Sequence, residues 1–181
     1  DGQLWGNPIY RWSRMAEEGF AWWVERIRAN LRWFDLLRLD HFRGFAAYWE
    51  VPAGAETARD GRWVDGPGAR LFEALAAALG PLPLVAEDLG LITDDVIALR
   101  RAFDLPGMAI LQFGFEDPQS LFQPHRLRPH SVVYTGTHDN DTTPGWFAAT
   151  SDSDQPRADD QPRYAPSDAP WAVVRAALTS V

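Results

Sequence analysis

The chain has 181 residues, with 17 Lys and Arg against 25 Asp and Glu, a net charge of -8, 46% hydrophobic residues and no cysteine. This composition excludes a mainly disordered chain, a disulfide framework, a thiolate metal site and a cysteine nucleophile. The acidic balance argues against nucleic acid or an anionic membrane as the partner, and no apolar run approaches the roughly 20 residues of a membrane span. We therefore predict a cytoplasmic protein with a neutral ligand.

Helical and strand patterns alternate along the chain. The predicted helices share an amphipathic period near 3.6 residues, and the predicted strands are short apolar runs. The predicted strands span 36–39, 83–86, 108–115 and 131–135. The predicted helices span 16–34 and 69–79, then a segment that Thr93 caps and that reaches Phe103. A short helix follows around Trp146, and a last helix begins again at Pro170 and runs through Val181. Strand followed by helix, repeated, predicts a parallel α/β fold.

Two long segments interrupt this alternation. Residues 44–68 form an insertion rich in aromatic and small residues directly after a strand end, where binding sites are commonly found. Residues 151–170 hold four prolines and five aspartates, which predicts an exposed flexible loop.

The number of predicted strand–helix units is about half of what an eight-stranded (β/α) barrel of roughly 250 residues requires. A doubly wound open sheet would use the same pattern. The positions of Asp40, of Glu87 with Asp88, and of His138 with Asp139 favour the barrel, because each follows the carboxyl end of a strand and barrel strands converge there. Since the chain opens without Met and stops inside a helical pattern, we expect 1–181 to be one partial barrel domain of a longer chain.

Carboxylates at three strand ends would repel one another in a shared cavity unless the chemistry uses them. Glycoside chemistry needs such a set: a carboxylate nucleophile, a carboxylic acid that protonates the leaving oxygen, and groups that hold the sugar. Each acid alone is more often a helix cap or a surface charge. Three at corresponding positions indicate an active site.

Several short segments resemble the 4-α-glucanotransferases called amylomaltases, glycoside hydrolase family 77. They are Leu37-Arg-Leu-Asp-His-Phe-Arg-Gly44, Val85-Ala-Glu-Asp-Leu-Gly90 and Tyr134-Thr-Gly-Thr-His-Asp-Asn-Asp-Thr142, together with the opening loop 2–10 and the stretches 48–54 and 105–108. The resemblance runs from about residue 2 to residue 146 in the family's order. It implies an enzyme that transfers α-1,4-glucan segments by retaining double displacement, without a cofactor or a metal. We expect the isolated fragment to be inactive, because half a barrel leaves its strand edges unpaired.

The resemblance implies Asp40 as the nucleophile, Glu87 as the general acid/base and Asp139 as the stabiliser of the transition state. Arg38 lies two residues before Asp40, on the same strand face, and we expect the two side chains to pair. Apolar neighbours of Glu87, together with the charge of Asp40, are expected to favour its protonated form.

Substrate-binding residues follow from the same segments. The resemblance implies sugar contacts from His41, His138 and Asp88, and from Gln3 and Asn7 in the opening loop. Trp5 is a predicted stacking platform, because it lies in a Gly/Pro loop and flat sugar faces stack on aromatic rings. Three other tryptophans, Trp22, Trp23 and Trp33, are expected to be packing residues. The expected partners are α-1,4-glucans and maltooligosaccharides.

Other interpretations of these residues stay open. His125 and His130 are most simply loop histidines. A metal site from His138, Asp139 and Asp141 is conceivable, and the Asp139–Asp141 stretch also resembles the metal-holding pair of nucleotide-sugar glycosyltransferases. That interpretation explains neither Asp40 nor Glu87. The alternative classes are a related α-glucan hydrolase and a non-catalytic carbohydrate-binding fragment, which would need the aromatic residues but not the acids.

Overall fold

The computed structural model describes residues 4–117, 119–150 and 168–180. The chain divides into two compact units, the first ending at Gly107 and the second beginning at Met108. The predicted flexible loop lies, over 151–167, outside the described residues. Within the described part of the chain, no helix is long and apolar enough to cross a membrane.

The first unit contains an extended N-terminal segment followed by mixed helices and strands. Its elements are α1 (Trp12–Glu17), α2 (Ala21–Asn30), β1 (Leu37–Leu39), α3 (Arg43–Ala46), β2 (Ala47–Glu50), a 3-10 turn at Ala58–Asp60, β3 (Arg62–Asp65), α4 (Ala69–Leu79), β4 (Leu84–Ala86) and α5 (Asp94–Ala102). Strands β1 and β4 pair in parallel, with Leu37 opposite Leu84. This parallel pairing agrees with the predicted parallel α/β fold.

The core of the first unit is built around Phe72, which is fully buried on α4. Its ring lies 5.5 Å from the Phe42 ring, 5.5 Å from the Phe45 ring and 5.3 Å from the Phe103 ring, measured between centroids. Helix α2 packs against α4, and its buried residues are Trp23, Val24 and Ile27. Because Phe42 and Phe45 come shortly after Asp40, this aromatic core anchors the segment of the candidate nucleophile.

The insertion over 44–68 folds as an antiparallel hairpin of β2 and β3. Trp49 and Trp63 are cross-strand partners whose rings meet edge to face at 5.4 Å. The indole N–H of Trp49 donates to the carbonyl of Ala58 at 2.8 Å, which ties the hairpin to the turn between its strands. The sequence predicts an insertion here but not its strands.

The second unit is smaller. Its elements are β5 (Gly107–Ile110), which begins at the last residue of the first unit, α6 (Leu111–Glu116), a 3-10 turn at Pro124–Arg126, β6 (Ser131–Tyr134), α7 (Thr143–Ala149) and α8 (Ala169–Thr179). Strands β5 and β6 form a two-stranded sheet. Pro170 lies in the first turn of α8, so the predicted restart of a helix there is confirmed.

The single helix predicted over 16–34 is wrong, because the structure has α1 and α2 in its place. The break lies at Gly19 and Phe20, whose φ angles are 62° and 55°. The N–H of Phe20 donates to the carbonyl of Met15 at 2.7 Å, which ends α1 as a Schellman turn does. The apolar period hides this break because Phe20 is itself buried in the core.

The strand predicted over 108–115 is also wrong in its second half. Strand β5 ends at Ile110, and the remaining residues form α6. A short apolar run fits a buried helix as well as a strand, so periodicity does not separate the two.

Two of the three tryptophans predicted to be packing residues are exposed. Trp23 is buried, whereas Trp22 is 48% exposed and Trp33 is 83% exposed. The buried face of α2 consists of Trp23, Val24 and Ile27, which leaves Trp22 outside it, and Trp33 lies beyond the end of α2.

Helix α5 begins directly after Thr93, as predicted, but Thr93 does not cap it. Its hydroxyl donates instead to the carboxylate of Asp95, and this bond holds the pKa of Asp95 below its usual range. Arg43 donates to the same hydroxyl oxygen at 3.3 Å, which links α3 to the start of α5.

We expect Phe72→Ala to lower the free energy of unfolding by about 3–5 kcal/mol, because the cavity would lie among three other rings. Trp33→Ala is the matched aromatic control and should change that free energy by less than about 0.5 kcal/mol, since its ring is in solvent. Urea unfolding followed by circular dichroism measures both. Equal losses in the two variants would contradict this assignment of the core.

Candidate active site

The ends of β1 and β4 bring two of the predicted catalytic carboxylates onto neighbouring chain segments. Leu39 pairs with Ala86 at the last register position, so Asp40 and Glu87 follow adjacent strand ends. The N–H of Glu87 donates to the carbonyl of Leu39 at 3.0 Å, and the N–H of Phe42 donates to the carbonyl of Glu87 at 3.0 Å. These bonds continue the pairing past both strands and fix the two acids side by side.

Backbone amides hold both carboxylate oxygens of Glu87. The N–H of His41 donates to Oε2 at 2.7 Å, and the N–H of Leu89 donates to Oε1 at 3.0 Å. His41 has a φ of 47°, a left-handed conformation uncommon outside glycine, and this turn aims its amide at Glu87. A carboxylate offers about four lone-pair positions, so each oxygen keeps one for a proton. Glu87 is therefore fixed in place, with one lone-pair position left on each carboxylate oxygen.

Asp40 is held by a different contact. The guanidinium Nη1 of Arg38 lies 2.7 Å from Asp40 Oδ1, which confirms the predicted pairing of residues on one strand face. The Asp40 side chain nevertheless remains 75% exposed. The ion pair orients one oxygen and leaves the carboxylate accessible to a substrate.

Asp40 and His41 form part of the wall of a groove of about 1620 Å³ in the first unit. Both the opening loop and the β2–β3 hairpin contribute to this wall. The aromatic residues that line it are Trp5, Tyr10, Trp12, Trp23, Phe45, Tyr48 and Trp49. Flat apolar faces of sugar rings stack on such side chains, so the groove has the lining that an oligosaccharide requires.

Two predicted sugar contacts of the opening loop lie in this groove. Trp5 is 57% exposed, and its ring meets the His41 ring edge to face at 5.0 Å. Asn7 lines the same wall. A third predicted contact, Gln3, lies outside the described residues.

Tyr48 is a groove residue that sequence reasoning did not single out. Burial raises the pKa of Tyr48, and the negative charge of Glu50 raises it further, while Arg62 partly opposes both. The hydroxyl therefore stays protonated at neutral pH and can donate a hydrogen bond to a sugar oxygen. The aromatic enrichment of the insertion was the available signal, but it did not distinguish Tyr48 from its neighbours.

Asp88, a predicted sugar contact, lies in a more enclosed position. Its side chain is 16% exposed, and its Oδ2 is 3.2 Å from Nε of Arg100, an ion pair without the alignment of a hydrogen bond. A Cβ on Gly107 would lie 2.6 Å from the same carboxylate oxygen. These contacts indicate that Asp88 supports the segment behind Glu87.

The third predicted carboxylate, Asp139, belongs to the second unit. It lies on the loop between β6 and α7 and is 73% exposed. Nε2 of His138 lies 3.4 Å from its Oδ1. The loop is closed beneath it, because the Thr137 N–H donates to Asn140 Oδ1 at 2.9 Å and the Asn140 N–H donates to the Thr137 carbonyl at 3.1 Å. This closure presents Asp139 to solvent at the tip of the loop.

Asp141, two residues further on, is held by contacts with the backbone of the residues that follow it. Its Oδ1 accepts the N–H of Thr142 at 2.7 Å, and its carboxylate fills the space where Gly145 would carry a Cβ. His138, Asp139 and Asp141 were the alternative metal-binding set. Among the described residues, no group of three or more such side chains is arranged to hold a metal ion.

Carboxylates on adjacent strand ends beside an aromatic groove are typical of enzymes that act on glycosidic bonds. The profile of one such family, described as 4-α-glucanotransferase, glycoside hydrolase family 77, matches residues 1–181. The chain belongs to this family.

Individual relatives match about four-fifths of the chain or more. The 4-α-glucanotransferase of Thermus thermophilus is 54% identical over 149 residues, which are 81% of this chain and 30% of that protein. The chloroplastic/amyloplastic 4-α-glucanotransferase of Arabidopsis thaliana is 44% identical over 184 residues, which cover 99% of this chain and 31% of that protein. The structure of an amylomaltase from Streptococcus agalactiae in complex with acarbose matches with a TM-score of 0.86 and 38% identity over 97% of this chain and 36% of that one. The chain thus spans about a third of the length of these relatives.

We expect Glu50→Gln to lower the pKa of Tyr48, because the variant removes a negative charge and frees the positive charge of Arg62. Ultraviolet titration of tyrosinate measures the shift, and Tyr48→Phe assigns the signal. The exposed Glu73, on α4, gives the control Glu73→Gln, which should leave the Tyr48 pKa unchanged. An unchanged or higher Tyr48 pKa in Glu50→Gln would contradict the assigned causes.

Proposed function

We propose that this chain supplies the catalytic residues of a 4-α-glucanotransferase that works by retaining double displacement. The observation that carries the proposal is the pairing of Asp40 and Glu87 across the ends of β1 and β4, beside an aromatic groove. The family membership supports it, and the relatives are named for this activity.

In the first step, an Asp40 carboxylate oxygen attacks the anomeric carbon of the donor glucan. The glycosidic bond breaks, its electrons pass to the leaving oxygen, and Glu87 donates a proton to that oxygen. The open side chain of Asp40 suits the attack, and the amide bonds of Glu87 hold its carboxyl group in position for the transfer. The product is a glycosyl ester on Asp40.

In the second step, Glu87 takes the proton of an acceptor 4-hydroxyl group. The acceptor oxygen attacks the anomeric carbon and releases Asp40, so two inversions leave the α configuration unchanged. Asp139 is assigned to grip the sugar while charge develops at its anomeric carbon, with His41 and His138 on neighbouring hydroxyl groups. Arg38, Trp5, Gln3, Asn7 and Asp88 complete the proposed set of substrate-binding residues.

The proposed substrates are α-1,4-glucans and maltooligosaccharides. The related amylomaltase from Streptococcus agalactiae is in complex with acarbose, and the aromatic groove of this chain suits a similar ligand. Transfer requires that the acceptor outcompete water, which an aromatic wall achieves by positioning the acceptor and excluding solvent. A hydrolase of the same clan would release only shorter sugars, and a non-catalytic binding fragment would release none.

We further propose that the chain forms part of a (β/α)8 barrel within a longer protein that acts in the cytoplasm. The parallel β1–β4 pair with α4 between its strands supports the barrel, as does the similarity to an amylomaltase structure. Since half a barrel leaves strand edges unpaired, we propose that catalysis requires the intact enzyme.

Retention of configuration makes a geometric prediction. In a sugar-bound structure of the intact enzyme, we expect the carboxyl groups of Asp40 and Glu87 to lie about 5–5.5 Å apart. Crystallography with a bound oligosaccharide measures this separation. A separation near 9 Å would leave room for a water molecule and would indicate inversion instead.

Carboxylate variants of the intact enzyme test the assigned roles. We expect Asp40→Asn and Glu87→Gln each to abolish the formation of glucose and longer oligosaccharides from maltotriose, because each removes a group that bonds to or protonates the reacting atoms. The matched control is Asp141→Asn, which should keep at least about a tenth of the activity. The amide oxygen of the variant can still accept the Thr142 N–H. Even the loss of one such hydrogen bond would cost only about 1 kcal/mol, which is less than a tenfold change in rate.

Product chromatography distinguishes the possible outcomes. An inactive Asp141→Asn beside an active Asp139→Asn would show that the third carboxylate is assigned to the wrong residue. Release of shorter sugars alone by the wild-type enzyme would favour the hydrolase.

A further inference from the structure

One buried polar side chain of the second unit has no part in the proposed chemistry. Gln112 lies on α6 and is 2% exposed. It is the one buried polar or charged residue in the part of the chain that the structure describes. A buried amide group is costly unless its hydrogen bonds are made. Its contacts therefore indicate what it supports.

Gln112 lies beneath both ends of the loop that carries Asp139. Its Nε2 donates to the carbonyl of Asp141 at 3.1 Å, at the far end of the loop. At the near end, a Cβ on Gly136 would lie 2.9 Å from the same nitrogen and 3.2 Å from Oε1. Gly136 thus leaves the space that the amide group occupies.

The bonds inside the loop connect these two ends to Asp139. Oγ1 of Thr137 accepts the Asp139 N–H at 3.3 Å and donates to Asn140 Oδ1 at 3.0 Å. Asp139 is consequently bracketed by a closed turn whose flanking residues, Gly136 and Asp141, contact the same buried amide group. The amide group of Gln112 therefore meets the turn on both sides of Asp139.

The geometry points to Gln112 as a positioning residue for Asp139, which sets the place of the third carboxylate without touching the substrate. This inference rests on the proposed role of Asp139 in gripping the sugar. A carboxylate on a loop tip needs such support, because catalytic groups must be held within roughly 0.5 Å of their productive positions.

The test uses the intact enzyme that carries this segment and measures the dissociation constant of acarbose by calorimetry. Gln112→Met keeps the length of the side chain and removes the amide donor. We expect it to weaken acarbose binding about tenfold in the wild-type background and less than about twofold in an Asp139→Ala background, because contacting sites couple in a double-mutant cycle.

Two further variants separate positioning from stability. Gly136→Ala displaces the Gln112 amide group from the other side and should reproduce the same pattern, so it carries the test if Gln112→Met fails to fold. Gln123→Met is the matched control, since Gln123 also donates its amide N–H to a backbone carbonyl, that of Asp117, at 3.3 Å. It should change acarbose affinity by less than about twofold.

The outcomes separate this inference from the proposed function. If Asp139→Ala leaves acarbose affinity unchanged, the role proposed for Asp139 fails and this inference fails with it. If Asp139→Ala weakens binding but Gln112→Met and Gly136→Ala weaken it equally in both backgrounds, or lower only the melting temperature, then Gln112 is a structural residue and this inference alone is overturned.

Discussion

Three hydrogen bonds that involve Glu87 join the ends of β1 and β4, and the candidate active site of the first unit depends on them. Each strand is only three residues long, so the ladder by itself would hold the strand ends weakly. The bonds to Leu39, Phe42 and the His41 amide extend it by using both the backbone and the side chain of Glu87. Glu87 is therefore both a structural link between the two strand ends and the proposed acid/base. Its hydrogen bonds hold it beside Asp40.

The left-handed turn at His41 is the local cost of this arrangement. A non-glycine residue at positive φ is strained by about 1–2 kcal/mol, and the aromatic core around Phe72 opposes its relaxation by holding Phe42 in place. The turn directs the His41 amide to Glu87 while its ring meets Trp5 in the groove. Core packing, backbone strain and groove shape are therefore coupled through one residue.

Much of the site followed from the sequence, because acids directly after short apolar runs mark strand ends whatever the tertiary detail. The pairing of Arg38 with Asp40 needed only the two-residue period of a strand. Two features did not follow from the hydrophobic pattern. The break before α2 requires a positive φ at buried Phe20, and the helix after β5 places Gln112 under a loop far along the chain. Neither feature is visible in the hydrophobic period, because that period reports which residues are buried. It does not report their backbone conformation or their hydrogen-bond partners.

Asp139 is held by different physics from the strand-end acids. Asp40 and Glu87 take their positions from a β ladder, which the hydrogen bonds of Glu87 extend, and from the apolar core around Phe72. The Asp139 loop has no ladder, so it supports itself through side-chain bonds between Thr137 and Asn140 and through the buried amide group of Gln112. Substitutions near the third carboxylate should consequently act through individual hydrogen bonds, each of which is costly to leave unmade in a buried setting. Those near the first two should act through the packing around Phe72 as well as through the hydrogen bonds of Glu87.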